Sequence, residues 1–362
     1  GHFADVRPRG SVIDGTGHSS GAGPFMELFD NLINIVSQGT VRRGHFAPYL
    51  PVEHGDIEEF LNIGKEGHPI QESTYAVTVT DKWLQDMVGG DQEKRRIWAK
   101  IIQRRTEIGY PYILFSDTVN NNTVDVYKDK KMKIHGSNLC SEIALPTSDE
   151  ISFICCLSSM NLRHYNEWKD TDAVETLVMF LDTVISSFLE RLEALRDSEN
   201  PQKRSAFYFM ERAYKFASEH RALGLGVLGW HTFLQENNIA MEDQKAYDLN
   251  KEIFKLIHDK AYAASTQLAA EYGEPKILEG YGRRNTTLLA IAPTTSSAFI
   301  LGQVSQSIEP MMSNCFVKDL DKIKVTIKNP ALEKLLDEKG QNTNEVWSNI
   351  RDNDGSVQHL DF

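Results

Sequence analysis

Ser137-Asn138-Leu139-Cys140-Ser141-Glu142-Ile143 places an amide, a thiol and a carboxyl at alternate positions. On a β-strand, side chains two apart share a face, so Asn138, Cys140 and Glu142 are expected to line one surface while Leu139, Ser141 and Ile143 line the other. An amide, a thiol and a carboxyl then line one surface, where the carboxyl is a candidate for acid–base work. The plainer reading is a half-exposed strand with polar residues outward. A second apolar run, Ile151-Ser152-Phe153-Ile154-Cys155-Cys156-Leu157, weighs against it by bringing another thiol onto an adjacent segment. Adjacent Cys155 and Cys156 face opposite sides of a strand, so at most one can share the first site.

Other chemistries lack their residues. Gly224-Leu225-Gly226-Val227-Leu228-Gly229 matches G-x-G-x-x-G letter for letter, but a dinucleotide fingerprint needs a hydrophobic strand just before it. Ala217 to Arg221 read as helix, and Trp230 and Phe233 continue an apolar helical face, so close helix packing through glycine is expected there. The 11 histidines form no H-x-x-x-H and no Cys/His pair at metal spacing. With no EF-hand or H-E-x-x-H pattern either, no protein-bound metal is expected. Neither a G-x-S-x-G elbow nor a P-loop is present to support a hydrolase or an NTPase.

The elements that must position these groups alternate in type. Phe25 to Val36 has helical spacing between glycine-rich loops carrying Arg7, Arg9, Arg42 and Arg43, and loops with local positive charge suit phosphate ligands. A helix over 91–108 leads into a strand over 110–115, and further strands are expected over 139–145, 151–157 and 288–292. Helices are expected over 174–192, with Thr171 and Asp172 as caps, over 205–218, and over 243–272, ended by Gly273. The last strand runs into Pro293-Thr294-Thr295-Ser296-Ser297. Strands alternating with helices imply an α/β class with parallel pairing. No linker composition and no internal repeat divides the chain, so residues 1–362 are expected to form one domain.

The chain has 362 residues, 39 Lys+Arg against 51 Asp+Glu, a formal charge of −12, 41% hydrophobic and 25% charged residues. This length fits one large α/β barrel, and the composition excludes disorder, collagen and disulfide scaffolds. The acidic balance excludes duplex nucleic acid as a partner but not small anions held by local groups. Four cysteines, two of them adjacent, do not form a secreted framework, so a reducing cytoplasmic location is expected. No apolar run reaches the ~18 residues that a membrane span needs, so no membrane association is expected. The chain starts at Gly1 without Met and closes on Phe362, and is expected to be part of a longer polypeptide.

Asn138-Leu139-Cys140-Ser141-Glu142-Ile143-Ala144-Leu145-Pro146 resembles the N-L-C-x-E-I-x-L-P signature of the large, catalytic subunit of class I ribonucleotide reductase. Ser37 to Gly44 is similar to that family's specificity loop, Cys155 to Leu162 to its second-cysteine segment, and Ala292 to Ser297 with Ser307-Ile308-Glu309-Pro310 to its phosphate loop. The resemblance implies a ten-stranded α/β barrel built from two half-barrels of parallel strands, here incomplete at both ends, with the N-terminal cone and C-terminal tail absent. It also implies reduction of ribonucleoside diphosphates to 2′-deoxyribonucleotides by thiyl-radical chemistry.

Carried over, Cys140 is the thiyl that takes the 3′ hydrogen, Glu142 the general base at the 3′-OH, and Asn138 a hydrogen-bonding group for the substrate hydroxyls. Cys155, rather than Cys156, is one half of the reducing pair, whose other half has no counterpart before Cys140. Pro293, Thr294, Thr295, Ser296 and Ser297 would bind the substrate diphosphate at a helix N-terminus. Thr295 departs from the carboxylate of some relatives. Gln38 and Arg42 would sit on the loop relaying effector identity, Arg7 would contact effector phosphate, and Arg43 replaces a small residue of some relatives. The implied partners are dNTP or ATP effectors, a metal-containing small subunit that supplies the radical, and a thioredoxin- or glutaredoxin-like reductant. A second copy in a homodimer and a complementary large-subunit fragment complete them, with no cofactor held covalently. The competing expectation is an inactive nucleotide-binding regulatory or scaffold fragment; an anaerobic glycyl-radical enzyme would need a loop that this sequence does not contain.

Overall fold

A computed structural model describes every residue except 16, 38–42, 72 and 321–322, and the side chains of 318–320 and 323. Gln38 and Arg42, both expected on the specificity loop, lie outside the described residues. The chain divides into two compact units, Gly1–Phe153 and Ile154–Phe362.

In the first unit, helix α1 (Gly23–Val36) starts with Pro24 in its first turn, where proline costs no hydrogen bond. Strands β1 (Tyr49–Pro51), β2 (Ala76–Val79) and β3 (Tyr112–Phe115) form a parallel sheet in that order. His2 makes a parallel bridge to Tyr49 beside it. The strand expected from residue 110 begins at Tyr112, because Pro111 has no N–H to give to a ladder. Helices α2 (Asp81–Val88) and α3 (Gln92–Ile108) cross from β2 to β3. Thr80 caps α2 by accepting from Trp83 N–H, and Asp91 caps α3 by accepting from Glu93 and Lys94 N–H. Leu50, Val77, Val79, Trp83, Ile97 and Ile101 join sheet and helices in one core. Two short helices, α4 (Ser116–Asn121) and α5 (Asp125–Asp129), then lead towards Cys140.

The strand expected over 139–145 is absent. Leu139 and Cys140 form a turn, and Ser141 takes a left-handed φ of 72°. The physical reason is local: Asn138 bonds the backbone of Ile143 through its own N–H and through its side chain, which offers the chain an alternative to a ladder.

In the second unit, β4 (Leu157–Asn161) begins where the strand expected over 151–157 ends. Helices α6 (Ala173–Arg196) and α7 (Pro201–His220) lead to β5 (Gly224–Leu228), which pairs in parallel with β4. Helix α7 starts four residues before the expected 205, since Asn200 caps it and Pro201 opens it although its first turns are exposed. Residues 287–290 run parallel along the other edge of β5, with Leu225 N–H donating to Leu288 O at 2.7 Å and Ala290 N–H to Leu225 O at 3.1 Å. The expected packing through glycine at 224–229 is therefore between strands, not helices. A Cβ on Gly224 would sit 2.3 Å from Leu157 Cδ2, and one on Gly226 2.3 Å from Ala290 O.

Helices α8 (Trp230–Glu236) and α9 (Gln244–Tyr272) follow, and Val178, Leu181 and Ile185 of α6 share a core with Ile253, Ile257 and Ala264 of α9. Beneath it, buried Asp182 accepts from Arg221 Nε at 2.7 Å, Arg284 Nε at 3.0 Å and Asn285 Nδ2 at 2.9 Å. Burial by itself would raise the Asp182 carboxyl; Arg221, Arg284 and Asn285 hold it below the ordinary value. The unit continues with the short helix α10 (Thr295–Ile300) and an antiparallel hairpin, β6 (Cys315–Leu320) and β7 (Ile323–Lys328), which no sequence signal had indicated. It closes on helices α11 (Pro330–Glu338) and α12 (Asn344–Asp352). No helix among the described residues is long and apolar enough to cross a membrane.

Candidate active site

The thiol, carboxyl and amide of the first unit come together on a turn rather than on a strand face. Asn138 N–H donates to Ile143 O at 3.3 Å, Ile143 N–H to Asn138 Oδ1 at 3.0 Å, and Ser141 N–H to Asn138 O at 3.2 Å. Ser137 Oγ, 2.7 Å from Ile143 O, locks the base. These bonds commit the Asn138 carbonyl oxygen to the turn and leave its Nδ2 as the group able to meet a ligand.

The turn is anchored to the sheet by Leu139, which packs against the buried cluster of Ala47, Tyr49 and Ala76, as Tyr112 and Leu114 do. Chain entry at Gly136 passes flat over the Tyr49 ring, where an added Cβ would sit 3.3 Å from Cδ1. Burial raises the Tyr49 phenol, against hydrogen bonds from Ser141 and Ser137. Tyr112 is pushed up to about 12, first by burial and then by Tyr110, Cys140 and Tyr49. Tyr49, Tyr112 and Ser137 support the site and carried no signal in the sequence, since Tyr49 and Tyr112 are brought together only by the strand register, each paired with Ala76.

Cys140 is exposed at the tip. Partial desolvation and the charge of Glu142 raise its pKa, so at neutral pH it keeps its S–H. Glu142 Oε2 is buried and has no hydrogen-bond partner among the described residues. An acceptor left unpaired in this way is costly unless a ligand completes it. The turn thus presents an intact S–H, a carboxyl oxygen awaiting a proton donor, and a free amide N–H.

In the second unit, Cys155 is exposed and Cys156 is buried. Cys156 Sγ lies 3.5 Å from Leu181 O, and burial, with Asp182 next, pushes its thiol up to about 11. Cys156 therefore packs in the core, and Cys315 is buried among Leu336, Trp347 and Ile350.

Pro293, Thr295, Ser296 and Ser297 are exposed and Thr294 is buried. Thr294 Oγ1 accepts from Ser307 N–H at 2.9 Å, so its hydroxyl pins the loop, while Ser307 Oγ donates to Ala292 O. The first intrahelical bond of α10 is Ala298 N–H to Thr294 O, which leaves the N–H groups of 295–297 as the orphan donors of a helix start. Thr295 Oγ1 donates to Gln306 Oε1 at 2.9 Å. Segment 305–307 is itself held by reciprocal bonds between Ser305 and Thr232.

Arg7 is exposed and makes no ion pair among the described residues. Arg9, grouped with it by sequence, is neutralised by a bidentate pair with Glu59 at 2.7 and 2.8 Å. Among the described residues no group of three His, Cys, Asp or Glu side chains is placed to hold a metal ion.

Parallel strands with helical crossovers and a thiol–carboxyl turn laid on the sheet define the class, an α/β protein with a thiol-bearing site. The chain belongs to the ribonucleotide reductase barrel domain family, whose sequence model matches residues 1–94, 88–277 and 275–362 and so spans both units. A solved structure, the Actinobacillus ureae class Id ribonucleotide reductase alpha subunit, is similar at 52% identity and a TM-score of 0.87, over 99% of this chain and 63% of that one. A Frog virus 3 protein named as a ribonucleoside-diphosphate reductase large subunit is 36% identical over 99% of this chain and 64% of its own length. The Caenorhabditis elegans ribonucleoside-diphosphate reductase large subunit is 28% identical over 98% of this chain and 53% of its own. The chain thus spans less than two thirds of the length of these relatives.

Proposed function

We propose that the chain is the barrel portion of the catalytic subunit of a ribonucleoside-diphosphate reductase. The observation that carries this reading is the turn 138–143, where a protonated Cys140 thiol neighbours the buried Glu142 Oε2, which has no hydrogen-bond partner among the described residues. In the reaction the Cys140 sulfur, as a thiyl, takes the 3′ hydrogen of the ribose and becomes the thiol again. Glu142 accepts the 3′-OH proton, and Asn138 Nδ2 donates to a substrate hydroxyl. The 2′-OH then takes a proton from the pair formed by Cys155 and a second cysteine and leaves as water. The pair gives two electrons and its second proton to the substrate as it forms a disulfide, Glu142 returns the 3′-OH proton, and Cys140 returns its hydrogen to C3′ and is a thiyl again. The N–H groups and hydroxyls of 295–297 hold the diphosphate, with Pro293 shaping the loop and Thr294 pinning it. A radical-generating small subunit with its own metal supplies the oxidising equivalent for Cys140.

The remaining assignments follow from the same reading. Arg7, Gln38 and Arg42 serve dNTP or ATP effectors; a thioredoxin- or glutaredoxin-like protein restores the dithiol; the large subunit works as a homodimer in the cytoplasm. The test combines this chain with the remaining large-subunit sequence and a radical-generating small subunit, and measures deoxynucleotide formation. Activity that Cys140→Ser abolishes supports the reading. Activity surviving in Cys140→Ser removes the thiyl assignment, and nucleotide binding without any turnover makes the chain a regulatory or scaffold fragment.

A further inference from the structure

The carboxyl ends of the first unit's parallel strands open into a cavity of about 550 Å³. Pro51 of β1, Thr78 of β2 and Ser116 after β3 form its floor, and Lys128, Lys131 and Lys133 stand on its wall. None of the residues assigned to the Cys140 turn lines it. Ligands of parallel α/β proteins lie outside the carboxyl ends of the strands, and this volume is within the ~300–1,000 Å³ of small-molecule sites.

Its charges are unbalanced in a chain of net charge −12. Among the described residues the three lysines make no ion pair, and three lysines against the two carboxylates Glu53 and Asp117 leave the lining with a net charge of +1. The two carboxylates on the wall are already engaged by neutral donors: Glu53 accepts from Thr80 Oγ1 at 3.0 Å and Asp117 from Asp81 N–H at 2.7 Å. The lysine turn is fixed rather than loose. Met132 N–H donates to Tyr127 O at 2.8 Å, Lys131 holds a left-handed φ of 53°, and Asn120 bonds both the N–H and the C=O of Ile134. Two imidazoles, His2 and His135, meet at 5.2 Å on the same wall. Burial lowers His2 to about 4, with His135 and Lys133 adding to it, so both rings are neutral at pH 7 and free to hydrogen-bond an anion.

We propose that this cavity binds a phosphate-bearing small molecule. The lysines meet the phosphoryl oxygens as point charges, the imidazoles donate to them, and Thr78, Thr80 and Asn121 face the uncharged part of the ligand. The cavity is lined by other residues than the diphosphate loop 293–297 and does not depend on the reductase reading.

The test titrates the intact chain with pyrophosphate and follows the ring protons of His2 and His135 by NMR, with calorimetry in parallel. The expected result is a saturable shift of both rings that weakens with salt, and a loss of affinity of about tenfold or more in the triple variant Lys128→Gln, Lys131→Gln, Lys133→Gln. All three lysines are exposed, so the variant is expected to unfold at the parent's temperature. Rings that do not respond to pyrophosphate overturn the proposal. Binding heat that persists undiminished in the triple variant also overturns it, by assigning pyrophosphate to the loop 293–297.

Discussion

At the scale of the residue, Cys140 and Glu142 are legible as a pair, but their geometry is not. Period-two spacing read them onto a strand, whereas the Asn138 side chain and the left-handed Ser141 fold them into a turn. Spacing two apart brings side chains near each other in either conformation, so the chemistry survived an error in the backbone. A thiol raised by desolvation and by the Glu142 charge has a direct signature. In a Cys155→Ser background, iodoacetamide alkylation of Cys140 is expected to rise with pH through a midpoint above 9.0. Glu142→Gln is expected to lower that midpoint without bringing it below the ordinary thiol value, because the larger cause, burial, remains. A midpoint that Glu142→Gln leaves unmoved would show that the two groups do not sense each other. Ser141→Gly is expected to keep the turn, while Ser141→Val, β-branched at positive φ, is expected to cost about 1–2 kcal/mol in urea unfolding.

At the scale of the element, long helices were legible because their apolar period is sustained: α3 and α9 begin one residue from their expected starts, after Asp91 and Asp243. The strands were harder to read. Short buried strands carry no period of their own, and glycine, depleted in strands on average, makes up part of β5 because neighbouring backbone leaves no room for a side chain. Gly226→Ala must push its Cβ against the Ala290 carbonyl, a backbone atom that cannot rotate away. It is expected to lose about 3 kcal/mol in urea unfolding, and a variant as stable as the parent would contradict the packing. The Asp182 cluster was invisible in sequence, since Asp182, Arg221, Arg284 and Asn285 converge from three separate stretches. Asp182→Ala would leave Arg221 buried and uncompensated, with an expected loss of about 3–5 kcal/mol. A double variant that also replaces Arg221 with Met should recover part of it, which a merely volumetric defect would not allow.

At the scale of the whole molecule, the chain is acidic and carries histidines that its fold keeps neutral. Burial lowers His220, stacked on Phe216 at 4.2 Å, to about 4. The folded value lies below the ~6.5 of an unfolded histidine, so the unfolded chain takes the proton first and stability falls as pH drops from about 6.5 to about 4. The full effect is about 3 kcal/mol. Below that window the lowered Asp182 carboxyl acts in the same direction, its stabilisation being lost as it protonates. Thermal unfolding between pH 7.5 and pH 4.5 should therefore show a decline that His220→Gln flattens, and an equal decline in both proteins would remove His220 as its source. The turn that carries Cys140 has a bearing on how such a large parallel scaffold can change over generations. A residue held in a ladder is rotated to the opposite face by a slip of one position. Cys140 is held instead by a closed ring of bonds between Asn138 and Ile143, clamped to the sheet through Leu139. A one-position slip in a neighbouring strand therefore leaves the thiol on the same side as its carboxyl, because the turn's own bonds, and not a ladder register, set that relation.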